Sequence, residues 1–165
     1  MPISKLCNLK IIDPAVGHGI FLIHIFKRLN EAMSNRSIEI KKHLNDIDIP
    51  SWILTNNLFG IDIDLSCVNR SIELLREFSG RNVRPNIFHG NTLRPNTDIE
   101  KVVNMNYDYI FGNPPYSKQI PPDDKEFYLK KYKESIGAHP HLCTLFIHQT
   151  LNKLKEGGVH GNLGA

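Results

Sequence analysis

The chain has 165 residues, 41% of them hydrophobic and 22% charged, a composition that suits one folded domain with a real core and excludes a disordered or fibrous segment. Its net charge of +3, with the basic residues spread along the chain, permits contact with nucleic acid without requiring it. The longest apolar run, GIFLIHIF, is too short to cross a membrane, residues 1–10 lack the apolar stretch of a secretion signal, and Cys7, Cys67 and Cys143 are too far apart for a paired motif, so the expectation is a cytoplasmic protein with reduced thiols.

In chain order, short apolar runs alternate with amphipathic stretches. NLKIID (8–13) predicts a buried strand ending in an acid. Phe21, Leu22, Ile25, Phe26 and Leu29 then recur at helical spacing. NNLFGIDID (56–64) predicts a second strand and LSCVNRSIELLREF (65–78) a second amphipathic helix. PNIFHGN (85–91) and YDYIFGN (107–113) predict two more strands. LCTLFIHQTLNKLKEGG (142–158) predicts a helix closed by a glycine cap. Strands alternating with helices imply an α/β domain over residues 1–165, with a mostly parallel sheet flanked by helices. Ligands of such sheets bind at the carboxyl ends of the strands.

The first strand closes on Asp13, and Gly17 and Gly19 follow before a helix. Glycines there allow a sharp turn and a close approach of backbone to ligand. Leu22 stands where a dinucleotide fingerprint would have its third glycine, and an acid beside the glycines suits an ammonium group better than a pyrophosphate. A plain β–α turn is the other reading. The second strand ends at Asp62, which can accept both hydroxyls of a ribose, while Asp64 is placed to cap the next helix; both can also be caps. Asn91, after Gly90, is either a turn residue or a partner for an adenine edge. An ammonium, a ribose and an adenine together describe S-adenosylmethionine.

The fourth strand ends in Asn113-Pro114-Pro115-Tyr116, where two prolines remove two backbone donors and fix two φ angles. With this stretch in view, the chain resembles the class I methyltransferases that act on adenine N6 in DNA. DPAVGHGIFL (13–22) is similar to their first motif, NNLFGIDIDLSCVNRSIELL (56–75) to their second, NPPY to their catalytic motif, and LFIHQTLNKLKEGG (145–158) to the helix after it. The order is that of the γ-type, and the likeness is greatest to the large enzymes of Eco57I type that combine methylation with restriction. The resemblance implies a Rossmann-like class I methyltransferase fold. It assigns S-adenosylmethionine to Asp13, Pro14, Ala15, Gly17, Gly19 and Phe21, to Asp62 and Ile63, and to Asn91 and Thr92. It assigns catalysis to Asn113, Pro114 and Tyr116, acting on an adenine flipped out of duplex DNA.

The chemistry fits that assignment. The lone pair of adenine N6 is delocalised into the ring, and accepting hydrogen bonds from both N6 hydrogens localises it. The Asn113 side-chain oxygen and the Pro114 carbonyl would be the two acceptors, held still by the prolines. Tyr116 would stack on the base, a contact worth about 1–3 kcal/mol. No metal is implied, and no cysteine sits in this loop to serve cytosine-C5 chemistry. His139 and His141 lack further ligands at zinc spacing, His18 is expected beside the cofactor as a loop residue, and KEFYLKKYKE (125–134) is expected to be a solvated helix rather than a phosphate contact.

Asn91 stands where aspartate is common in the family, and His141 and Cys143 also depart from its pattern. The segment that usually precedes the first strand is expected to be missing, and residues 157–165 are expected to end the catalytic domain early, without a target recognition domain. That expectation carries two others: self-association through an uncovered sheet edge, or a recognition subunit as partner. Two further functional readings stand beside the DNA one, namely methylation of protein glutamine or ribosomal RNA, where Asn-Pro-Pro-Tyr also occurs, and a non-catalytic remnant or subunit.

Overall fold

The computed structural model describes residues 1–115, 120, 122–133 and 141–162. α1 (Ile3–Cys7) precedes β1 (Ile11–Asp13). α2 (Ile20–Ser34), α3 (Ser37–His43), α4 (Ile49–Trp52) and one turn of π-helix (Ile53–Asn57) lead into β2 (Leu58–Asp62). α5 (Leu65–Ser79) connects to β3 (Asn86–His89), and α6 (Thr97–Val103) to β4 (Tyr107–Gly112). α7 (Pro122–Lys131) and α8 (Leu142–Leu151) come before β5 (Leu154–Asn162). The strands form one sheet in the order β3-β2-β1-β4-β5, and every neighbouring pair is parallel.

Both faces of this sheet are covered, which is why its inner strands read as apolar runs rather than as alternating ones. Ile11 and Leu58 point to one side and pack with Leu22, Phe26 and Leu75 of α2 and α5. Their neighbours Ile12 and Phe59 point to the other side and pack with Ile99, Val102 and Val103 of α6. The chain steps outward from β1 to β2 to β3, then returns to place β4 on the other flank of β1. That reversal opens a crevice at the carboxyl ends of β1 and β4, the usual ligand site of an α/β sheet.

One expectation fails and another holds only in part. The helix predicted over 142–158 with a glycine cap stops at Leu151, is capped by Asn152, and is followed by β5. The edge of β4 captures the chain there: the Tyr107 N–H donates to the Lys153 carbonyl (2.8 Å), and Leu154 lies opposite Tyr107. The ladder resumes with Val159 opposite Tyr109, so the residues between bulge outward, with Gly157 at φ +71°. The stretch expected as a solvated helix is helical through Lys131 and mostly exposed over 125–133, but it is anchored on one side: Tyr128 of α7 and Tyr132 just after it, each 2% exposed, are buried against Leu93, Leu142 and Leu145. Tyrosines four residues apart fall on one side of the turn and hold an otherwise polar helix in place. Among the described residues no helix is long and apolar enough to cross a membrane.

Candidate functional site

The loops after β3, β2, β1 and β4 lie side by side and line a cavity of about 440 Å³, within the roughly 300–1,000 Å³ of small-molecule sites. The β1 loop is pinned to β2 by the Val16 N–H, which donates to the Ile61 carbonyl (2.9 Å), and closes on itself through the Gly19 N–H and the Val16 carbonyl (2.8 Å). Gly17 and Gly19 have φ of +52° and +80°, a region open to glycine at little cost. A side chain at Gly19 would also run into the Ser71 hydroxyl of α5. Gly19 opens α2 without any side-chain cap, so the first-turn N–H groups of that helix carry partial positive charge behind the β1 loop. Pro14, Ala15 and Gly17 line the cavity. Gly19 and Phe21 do not; Gly19 belongs to the loop and Phe21 to α2.

Asp62 ends β2 and lines the cavity. Its Oδ2 accepts the Gly17 N–H (2.8 Å) and its Oδ1 the Asp64 N–H (2.9 Å). Each oxygen keeps a second lone pair. Asp64 caps α5, accepting the N–H (2.8 Å) and hydroxyl (2.7 Å) of Ser66, which hold its carboxyl below the ordinary range. The two acids therefore divide between rim and cap. Ile63 lines the cavity and is largely exposed.

Asp13 is fully buried and sits behind the lining. Its Oδ1 accepts the Ala15 N–H (3.0 Å), and its Oδ2 has no hydrogen-bond partner among the described residues. Burial pushes its carboxyl up to about 7; the Ala15 bond opposes the shift and the Asp62 charge adds to it. Room for this acid depends on Gly112, where a Cβ would come within 2.9 Å of Asp13 Oδ1.

The Gly90 N–H donates to the Asp62 carbonyl (2.8 Å), and the Thr92 hydroxyl to the Pro14 carbonyl (2.7 Å), so the β3 loop is tied both to β2 and, past it, to the β1 loop. Thr92 is buried, and Thr92 and Asn91 both line the cavity. Asn91 makes the turn expected of it: its Oδ1 accepts the N–H groups of Leu93 (2.9 Å) and Arg94 (3.3 Å). At the end of β4, Asn113 is exposed into the cavity mouth, Pro115 lines it, and Pro114 is buried beneath. Tyr116 and His139 lie outside the described residues.

Sequence reading missed the far wall. Asp124 and Tyr128 of α7, and Leu142 and Phe146 of α8, line the cavity with Leu93. The signal was present as spacing: Asp124, Tyr128 and Tyr132 each stand four residues apart. His141 begins α8 without capping it through its side chain, and His18 is exposed.

The family model for the Eco57I restriction-modification methylase matches residues 56–162. The Escherichia coli type II restriction enzyme and methyltransferase RM.Eco57I is 25% identical over 198 residues, covering 95% of this chain and 20% of that protein. The chain thus spans about a fifth of that relative's length. The fold is shared with DrdV in its DNA complex, at TM-score 0.65 and 18% identity over 94% of this chain and 17% of that one. It is shared too with a class I S-adenosylmethionine-dependent methyltransferase of Listeria monocytogenes, at TM-score 0.59 and 17% identity over 97% and 42% of the two chains.

Proposed function

The chain belongs to the Eco57I restriction-modification methylase family, and from that premise we propose that its cavity binds S-adenosylmethionine and directs methyl transfer to the N6 amine of an adenine flipped out of DNA. The observation that carries this reading is the order of groups along the strand ends. From β3 to β4 the cavity meets Asn91, then Asp62, then Gly17 in the loop that leads into α2, then Asn113. Neighbouring strands lie about 4.8 Å apart, so these groups are strung out over roughly 14 Å. A base, a ribose and an amino acid joined in line would meet an amide, a carboxylate and the glycine loop in that sequence. The reacting end would reach Asn113.

The residues present fit the cofactor. Asp62 keeps lone pairs for a diol. The free N–H groups of α2 suit a carboxylate. Asp13 carries a buried oxygen without a partner near the same loop, and an ammonium group, reached directly or through water, would relieve it. When bound, S-adenosylmethionine supplies an electrophilic methyl group on sulfur. The chain's own part is to hold the target amine. Asn113 accepts one N6 hydrogen and the Pro114 carbonyl the other, which localises the nitrogen lone pair, and Tyr116 stacks on the base. Extruding the base costs a few kcal/mol, which DNA contacts must offset.

Methyl transfer from tritiated cofactor separates the candidate substrates. Label in DNA, recovered as N6-methyladenine, supports this reading; label in release-factor glutamine or in ribosomal RNA instead would replace it. Asn113→Ala is expected to bind the cofactor with nearly unchanged affinity and to lower turnover by about 10²-fold or more, the usual cost of one preorganised polar group. Full turnover in that variant would make the loop structural.

A further inference from the structure

Asn91 lines the cavity where a base would lie, yet its amide is already committed. Both lone pairs of Oδ1 face backbone N–H groups of its own turn, those of Leu93 and Arg94. One hydrogen of Nδ2 goes to the Tyr128 hydroxyl oxygen at 3.0 Å. Two backbone donors on one oxygen settle which end of the amide is oxygen, so what Asn91 has left for a ligand is a single N–H. It can donate to a base and cannot accept from one. The exocyclic amine of adenine, which needs an acceptor, must find it elsewhere.

α7 holds a candidate. Asp124 stands four residues before Tyr128, on the same helix face, and also lines the cavity. Its Oδ1 accepts from Arg94 (2.8 Å), and its Oδ2 has no partner among the described residues. Its side chain is 22% exposed, against 53% for Arg94, so the carboxylate sits on the inner side of that pair. The wall around Asn91 therefore offers one N–H and one carboxylate oxygen, from two elements that Tyr128 bolts together.

We propose that the adenine edge of the cofactor is read by Asp124 and Asn91 together: the Asp124 carboxylate accepts from the exocyclic amine, Asn91 donates to the adjoining ring nitrogen, and Tyr128 is the positioning residue that fixes the Asn91 amide. This rests on the S-adenosylmethionine reading above. In it, position 91 gives up the acceptor role and α7 takes it over.

Calorimetry with S-adenosylhomocysteine and S-inosylhomocysteine tests this on the purified 165-residue chain. The second ligand carries an oxygen in place of the amine and a proton on the ring nitrogen, so it reverses both hydrogen bonds. The chain is expected to prefer the adenine ligand by at least about 10-fold, the worth of one bond to a charged acceptor. Asp124→Asn can donate to the oxygen, and the preference should collapse to about one or invert. Arg94→Gln removes the ion pair and should keep the preference; its collapse there as well would assign the effect to the pair and overturn the inference. Asn91→Asp should weaken binding of the adenine ligand about 10-fold, whereas tighter binding would put the amine's acceptor back at 91. Tyr128→Phe should weaken both ligands by a similar factor with the preference kept. If neither ligand binds the unaltered chain, the cofactor reading itself fails. If both bind equally well, or Asp124→Asn leaves the preference unchanged, this inference alone fails. Thermal unfolding followed by circular dichroism confirms that each variant is folded, and Asn91→Asp decides the matter if Asp124→Asn is not.

Discussion

Replacing Asp13 with asparagine changes how stability depends on pH, and the size of the effect follows from burial. The carboxyl is pushed from 3.8 to about 7 in the folded chain, chiefly by desolvation. The folded state thus keeps a proton that the unfolded chain releases near pH 4, so Asp13 lowers stability progressively as pH rises through that window, and the penalty is constant above it. Each pKa unit is worth about 1.4 kcal/mol, which makes about 4 kcal/mol over the whole window, more than half of it between pH 5 and pH 8. Asp13→Asn has no such group, and asparagine keeps the oxygen that accepts the Ala15 N–H. Other acids are common to both proteins and cancel in the difference, including Asp48, whose bonds to Arg81 and Ser51 hold it low and give a stability lost in acid. Urea unfolding at pH 5, 6, 7 and 8 gives the stability of each protein. The stability difference is expected to move in favour of the variant by about 2–3 kcal/mol across that range. A difference that stays constant from pH 5 to pH 8 would show that Asp13 is ionised throughout and that the burial argument is wrong.

Two further outcomes follow from the loops. Asp62→Ala should weaken S-adenosylmethionine binding by at least about 100-fold, since two bonds to a charged acceptor are worth roughly 1.5–3 kcal/mol each, and the Gly17 and Asp64 N–H groups lose their acceptor as well; unchanged affinity by calorimetry removes Asp62 from the site. Gly19→Ala should lower unfolding stability by about 1–2 kcal/mol from the left-handed backbone alone, and more from contact with Ser71, so an unchanged urea midpoint would mean that the loop relaxes freely.

The strand ends were legible because the sheet is buried on both faces. Ile11, Ile12, Leu58, Phe59 and Ile61 write continuous apolar runs, and each run stops at the acid that ends its strand, Asp13 or Asp62. The split between Asp62 and Asp64 was legible too, because a cap must stand immediately before its helix. β5 was not. Its residues include Lys155, Glu156, Gly157 and His160, and it owes its strand geometry to β4, which supplies the ladder for one edge only. The anchor of α7 was not legible for a related reason. Charged residues at most of its positions mask Tyr128 and the Tyr132 that follows it, although those two decide what the helix packs on.

Local and distant determinants therefore divide the cavity. On the side of Asp62 and Gly17, the walls are fixed by hydrogen bonds between the strand-end loops: Val16 to Ile61, Gly17 to Asp62 and Gly90 to Asp62 between adjacent strands, and Thr92 to Pro14 across β2. Each bond joins residues that the motifs already place side by side, so that side could be read from the motifs alone. On the side of Asn91 and Tyr128 the wall is closed by a helix that arrives after β4, and a hydrogen bond joins residues 37 apart in the chain. Nothing at Asn91 itself states that its oxygen will be spent on its own turn. The identity of residue 91 fixes the size of the side chain there, and α7 decides which hydrogen-bonding role it can still play. On the proposed reading, a substitution in α7 would therefore change which base edge is accepted while leaving Asp62, Gly17 and Asn113, the groups proposed to hold the rest of the ligand and the target amine, where they are.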